Sequence, residues 1–206
     1  MKNLFTLLLI GATTFALAQP GKKGKDPKMA PVTVPGYYVN LKGDTVRGEI
    51  QSNPDNPATD FYKGFSFKAK GATKVTPIST KKAKGYGFEG RNFMLVPYDA
   101  QSEVYVEVLV SGRLKFYEYR YDEVINKEAV VTSAYFIQDT KADEKDKDLR
   151  ELKALSLKFY KKDLRPYMKD QPITWTDLDK FTFNKDAVIN AIKEFNKYYE
   201  SAPTEE

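Results

Sequence analysis

Neither cysteine nor histidine occurs anywhere in the 206 residues, and there is a single tryptophan. Without cysteine there are no disulfides, no thiolate nucleophile and no thiolate-held metal. The same absence excludes a lipid-modified N-terminal cysteine. Without histidine there is no Ser-His-Asp or Cys-His relay, no imidazole-ligated zinc and no imidazole titrating near neutrality. Carboxylate, lysine and tyrosine chemistry remain. Long apolar runs are missing too: after the N-terminus no segment approaches the roughly 18 to 20 apolar residues that span a membrane as a helix.

The N-terminus itself reads MKNLFTLLLIGATTFALA. Lys2 supplies a positive start, Leu4 to Ala16 is uncharged, and Ala16-Leu17-Ala18 offers small residues at both positions of a signal-peptidase site. Gly11, Thr13 and Thr14 interrupt the run, and no basic flank follows it directly. Residues 1–18 are therefore expected to be a cleaved signal peptide. The protein is then exported, periplasmic or extracellular, and not a lipoprotein.

The net charge is +5, from 33 basic and 28 acidic residues. The two signs are interspersed, which describes a solvated surface and not the basic stripe of a nucleic-acid binder. Residues 19–35 contain four prolines, two glycines and four lysines. That composition buries little apolar surface and predicts a disordered basic leader. A single domain is expected over 36–200, β-rich in 36–155 and helical in 156–200, followed by a disordered tail at 201–206.

The domain opens with two alternating runs, Tyr37–Leu41 and Thr45–Ile50, around Gly43-Asp44, the signature of a hairpin. Segment 52–60 reads as a turn-rich loop, and Phe61–Lys68 and Lys74–Ile78 as short strands. The strongest signal is Val104–Val110, then Ser111-Gly112-Arg113, then Leu114–Tyr121. Val104, Val106, Val108 and Val110 share one strand face, and Tyr105, Glu107 and Leu109 the other. On the returning strand Leu114 and Phe116 alternate with Tyr117, Tyr119 and Tyr121. The Val and Leu/Phe faces are expected to meet the core, leaving the tyrosines either under the helices or open to solvent. Ala129–Gln138 adds a strand. Beyond the charged loop at 140–148, helical spacing appears at Leu157–Met168, with an end near Arg165-Pro166. Thr174 and Asp177 form a capping signature, and Asn184 caps a last helix with a stripe of Val188, Ile189, Ile192, Phe195 and Tyr199. Strands first and helices last predict an α+β fold: an antiparallel sheet of about six to eight strands carrying a C-terminal helical segment.

Three stretches together resemble an uncharacterised family of small exported proteins of Bacteroidota. They are Gly36-Tyr37-Tyr38-Val39 with Gly43-Asp44-Thr45-Val46-Arg47-Gly48, then Val106–Val110 with Gly112 and an aromatic strand, and then Lys193-Glu194-Phe195-Asn196. The resemblance implies location and fold, and it brings no active site.

Several clusters invite a chemical reading. Lys63-Gly64-Phe65-Ser66-Phe67 and Lys84-Gly85-Tyr86-Gly87-Phe88 evoke an RNA-stacking motif, but Arg91 stands where the second needs an aromatic, so nucleic acid is not expected. The acids between 143 and 148 alternate with lysines and lack the turn glycine of a calcium loop. Glu103, Glu107, Glu118, Asp122 and Glu123 are the carboxylates available to a hydrolase, and Glu107 alone sits mid-strand among apolar neighbours. Tyr105, Tyr117, Tyr119 and Tyr121, with Glu107, form the candidate ligand-binding set, because aromatic faces stack on sugars and hydroxyls bond them. The expected function is a non-catalytic envelope or secreted binding or structural accessory module, with no cofactor and with an envelope glycan or another envelope protein as partner. The alternative is a carboxylate-dependent hydrolase of envelope glycan or peptide.

Overall fold

A computed structural model describes residues 31–52, 58–98, 101–168 and 182–201. The expected signal peptide, the leader through residue 30, the Thr174–Asp177 signature and residues 202–206 lie outside the described residues.

Among the described residues, alternating β-branched and aromatic residues build ten strands, β1 (Val32–Asn40), β2 (Thr45–Ser52), β3 (Gly64–Ala69), β4 (Thr76–Ser79), β5 (Ala83–Phe88), β6 (Arg91–Pro97), β7 (Glu103–Val110), β8 (Leu114–Ile125), β9 (Glu128–Asp139) and β10 (Lys153–Leu155). They form one antiparallel sheet in the order β10-β9-β8-β7-β6-β5-β1-β2-β3-β4. The described residues also hold three α-helices late in the chain, α1 (Lys147–Arg150), α2 (Tyr160–Met168) and α3 (Lys185–Ser201). The protein is thus mostly β with some helix, and its strand count exceeds the six to eight expected.

The surplus has local causes. Glu89 and Gly90 both take positive φ, 48° and 76°, as a two-residue primed hairpin turn requires, and so split one Gly-rich stretch into β5 and β6. The strand β10 has only three residues and exists through pairing with Tyr135–Ile137. The first strand begins at Val32, inside the expected leader, because Val32, Thr33 and Val34 pair with Ser52, Gln51 and Ile50. Its partner β5 joins only from Gly36, so at Pro35 one side of β1 is unpaired, the edge-like setting in which a sheet accepts proline.

The β7–β8 register overturns the expected faces. Glu107 pairs with Glu118 and Val108 with Tyr117, but the next partners are Val110 and Phe116, so Leu109 is bulged out. One extra residue slips the alternation. Val110 joins Leu114 and Phe116, while Val104, Val106 and Val108 share a side with Tyr117, Tyr119 and Tyr121. The helices cover the Leu114/Phe116 side: Val110, Leu114, Phe116, Tyr135, Ile137 and Leu155 pack against Tyr160, Leu164 and Met168 of α2 and Val188, Ile192 and Phe195 of α3. A second cluster centres on Ile50, Phe65, Phe67, Tyr86, Phe93 and Tyr105 under the 3-10 turn Ala58–Tyr62.

Two devices fix α3. Asn184 caps it, its Oδ1 accepting the Ala187 N–H at 3.1 Å. Asn196, 4% exposed, reaches into the β7–β8 turn. Its Oδ1 accepts the Leu114 N–H at 2.8 Å, and its Nδ2 donates to the carbonyls of Leu114 at 2.8 Å and Ser111 at 3.1 Å. Gly112 makes room: it has φ +138°, and a Cβ there would stand 2.5 Å from Asn196 Nδ2. The α2 helix passes through Pro166 to Met168, slightly beyond its expected end.

Candidate functional site

Cross-strand pairing places Glu107 opposite Glu118, which sets their Cβ atoms about 5 Å apart on one face. Each carboxylate is clamped by arginine. Arg91 forms a two-point contact with Glu107, Nε to Oε1 at 2.8 Å and Nη2 to Oε2 at 2.7 Å, and the Tyr62 hydroxyl donates to Oε2 at 3.0 Å. The guanidinium of Arg91 also lies over Phe93, 4.9 Å from the ring centre. Glu118 has a side chain only 2% exposed. It accepts from Arg120 Nη2 at 3.0 Å, Ser133 Oγ at 2.8 Å and Lys185 Nζ at 3.4 Å.

Electrostatics decides what this pair can do. Burial pushes the Glu107 carboxyl upward, but the hydrogen bonds and charge of Arg91, the Tyr62 hydroxyl and the charge of Arg120 outweigh it. Glu107 therefore sits below its ordinary value. Glu118 ends below its own as well, burial being outweighed by Arg120, Ser133 and Lys185. Two carboxylates that are both held ionised lack the protonated partner a general acid needs.

The four tyrosines do not form one ladder. Tyr105 lies on the Glu107 side of the sheet, fully buried, its hydroxyl set between the carbonyls of Ala83 at 3.0 Å and Ser79 at 3.2 Å. Tyr117 is fully buried on the opposite side, with its hydroxyl donating to Gln138 Oε1 at 2.9 Å. Burial pushes the Tyr117 phenol up to about 12 and raises that of Tyr105 as well. Tyr119 is buried and touches Tyr98, centroids 5.1 Å apart, and Tyr121, 5.5 Å apart. Tyr121 is half-buried and Tyr98 exposed, so of the expected set only Tyr121 offers ring surface, as part of a Tyr98–Tyr119–Tyr121 strip.

Sequence reasoning missed Arg91, Tyr62, Arg120 and Lys185, which arrive from four separate elements. It also missed Tyr98, which stands just beyond β6 and reaches Tyr119 only through the fold. Among the described residues the surface also carries clefts, one of them of about 470 Å³ between residues 47–49 and 68–72, and two others lie elsewhere. One, of about 500 Å³, sits between the 3-10 turn and β3–β4 and includes Phe61, Lys63, Phe65, Ile78 and Lys82, with Asp60 its only carboxylate. The other, of about 420 Å³, is walled by Tyr37, Arg47, Arg91 and Asn92 over Gly36, Gly48 and Gly87, with Glu89 its only carboxylate. Glu144, Asp146 and Asp148 line a surface hollow together with Lys145 and Lys147. Among the described residues no buried side-chain polar atom lacks a hydrogen-bond partner. No group of three or more acidic side chains converges on a metal position among them. No helix of the described residues is long and apolar enough to cross a membrane.

No family model, no curated protein and no solved structure matches the chain.

Proposed function

We propose that the protein is an exported, non-catalytic binding or structural accessory module of a bacterial envelope or its exterior. The observation that carries this reading is the state of the Glu107–Glu118 pair. These are the carboxylates best placed for acid–base work, and each is held ionised by its own arginine. Neither the 500 Å³ cleft nor the 420 Å³ cleft has a second carboxylate among its described lining residues. The surface offers instead the rings of Tyr98 and Tyr121, both packed on the buried Tyr119, and this pair suits an envelope glycan by stacking on pyranose faces.

The facing carboxylates are the one feature favouring a hydrolase of envelope glycan or peptide. Purified protein assayed on peptidoglycan and a panel of envelope polysaccharides separates the two readings. The module reading expects no turnover, together with retention on a glycan that weakens in Tyr98→Ala and Tyr121→Ala. Turnover abolished by Glu107→Gln in a protein that still folds overturns it.

A further inference from the structure

An outer strand carries a row of N–H and C=O groups with no partner, and natural sheets blunt such edges with proline, lysine, bulges or brevity. At one end of this sheet β4 has four residues and contains Pro77. At the other end β10 covers only Tyr135–Ile137 of β9. From Ala134 back to Glu128, β9 has β8 on one side and no strand on the other among the described residues. That free edge reads Glu-Ala-Val-Val-Thr-Ser-Ala, with no lysine or proline. Its ladder to β8 is unbroken from Leu114/Asp139 to Ile125/Glu128. Apolar residues gather around it: Val124 is 74% exposed, Val131 57% and Ile125 48%. Where the chain turns away after β10, Leu157 and Phe159 are 47% and 54% exposed.

The geometry points to a second copy of this chain as the occupant, the two β9 edges pairing antiparallel about a twofold axis near Val131. Charge favours this arrangement. Glu128 is the only ionisable residue of the edge, and antiparallel self-pairing sets the two copies of it about 20 Å apart, where parallel pairing stacks them. The incoming strand ends opposite Ala134–Tyr135, where β10 stops, so it runs in line with β10. The tip of its arm, Val124 and Ile125, then arrives on the side where Leu157 and Phe159 are exposed, and the symmetry repeats that contact. One interface covers both apolar patches of each copy. Seven added ladder residues alone fall short of the roughly 1,200 Å² of a stable complex, so the flanking contacts are needed and the dimer dissociates on dilution. The inference is independent of whether the protein is catalytic.

Sedimentation velocity of the purified protein from about 1 µM to about 300 µM is expected to show one chain giving way to two. Val131→Lys is expected to hold the protein at one chain throughout, with the unfolding midpoint unchanged because the site is exposed. The cysteine-free background gives a second readout: Val131→Cys meets its own copy and is expected to crosslink about tenfold faster than Val75→Cys, a half-exposed site beside β4. A single chain at every concentration overturns the proposal and leaves the edge to a strand of another protein. A dimer that survives Val131→Lys, with no crosslinking preference at Val131→Cys, overturns it too.

Discussion

Removing the Asn196 side chain is expected to loosen the attachment of α3 to the sheet. In Asn196→Ala the Leu114 N–H and the carbonyls of Leu114 and Ser111 lose their partner together. Asn196 is 4% exposed, so water replaces it poorly. A buried backbone group left unsatisfied costs about 1–3 kcal/mol, and partial relaxation at the turn carbonyls brings the sum to about 3–5 kcal/mol. For a domain of this size that lowers the thermal midpoint by roughly 6–20 °C. Urea unfolding followed by circular dichroism reads the change directly. Gly112→Ala provides the coupling test, since its Cβ collides with the Asn196 amide in the wild type and not in Asn196→Ala. The two losses should fall short of additive by at least about 1 kcal/mol. A loss below about 1 kcal/mol in Asn196→Ala, or strict additivity, refutes this account of how the helix is docked.

Other expectations follow from the interior ion pairs and phenols. Glu107 and Glu118 are both shifted down from an ordinary 4.5, so their contribution is present above that pH and is lost as pH falls through the lower folded values. Urea midpoints should therefore drop from pH 5 toward pH 3, and the drop should shrink in Glu107→Gln. Arg91→Lys keeps the charge but loses the two-point contact and the ring stacking; an expected loss of about 1–3 kcal/mol is measurable by the same unfolding curves. Absorbance at the phenolate band during alkaline titration should resolve two classes of tyrosine. Tyr117, pushed up to about 12, belongs to the class that ionises last.

Much of the architecture is legible in local sequence. Gly43 and Asp44 announce the β1–β2 turn, which the fold completes with Asn40, whose Oδ1 accepts the N–H groups of Lys42 and Asp44, each at 2.9 Å. Asn184 and the Val188/Ile192/Phe195 stripe announce α3. Period-two alternation announces β7, β8 and β9. What the alternation does not carry is the bulge at Leu109, which obeys pairing between strands and leaves no composition signal. That one residue moves Tyr105 to the face opposite Tyr117, Tyr119 and Tyr121, so a tyrosine ladder drawn along the chain dissolves once register is known. Of the candidate site, Glu107 was visible as a carboxylate among valines. Its clamp was not, because Arg91 is 16 positions away and Tyr62 is 45. The resemblance residues Gly112 and Asn196 turn out to touch, which gives their pairing a packing role.

On the proposed reading the facing carboxylates are structural and stay charged at neutral pH. Carbon-13 NMR of glutamate carboxyls, assigned through Glu107→Gln and Glu118→Gln, follows their titration in the folded protein. Both are predicted to titrate below the ordinary glutamate value of 4.5. One of the pair titrating near 6 or above, as a poised general acid does, would contradict the account.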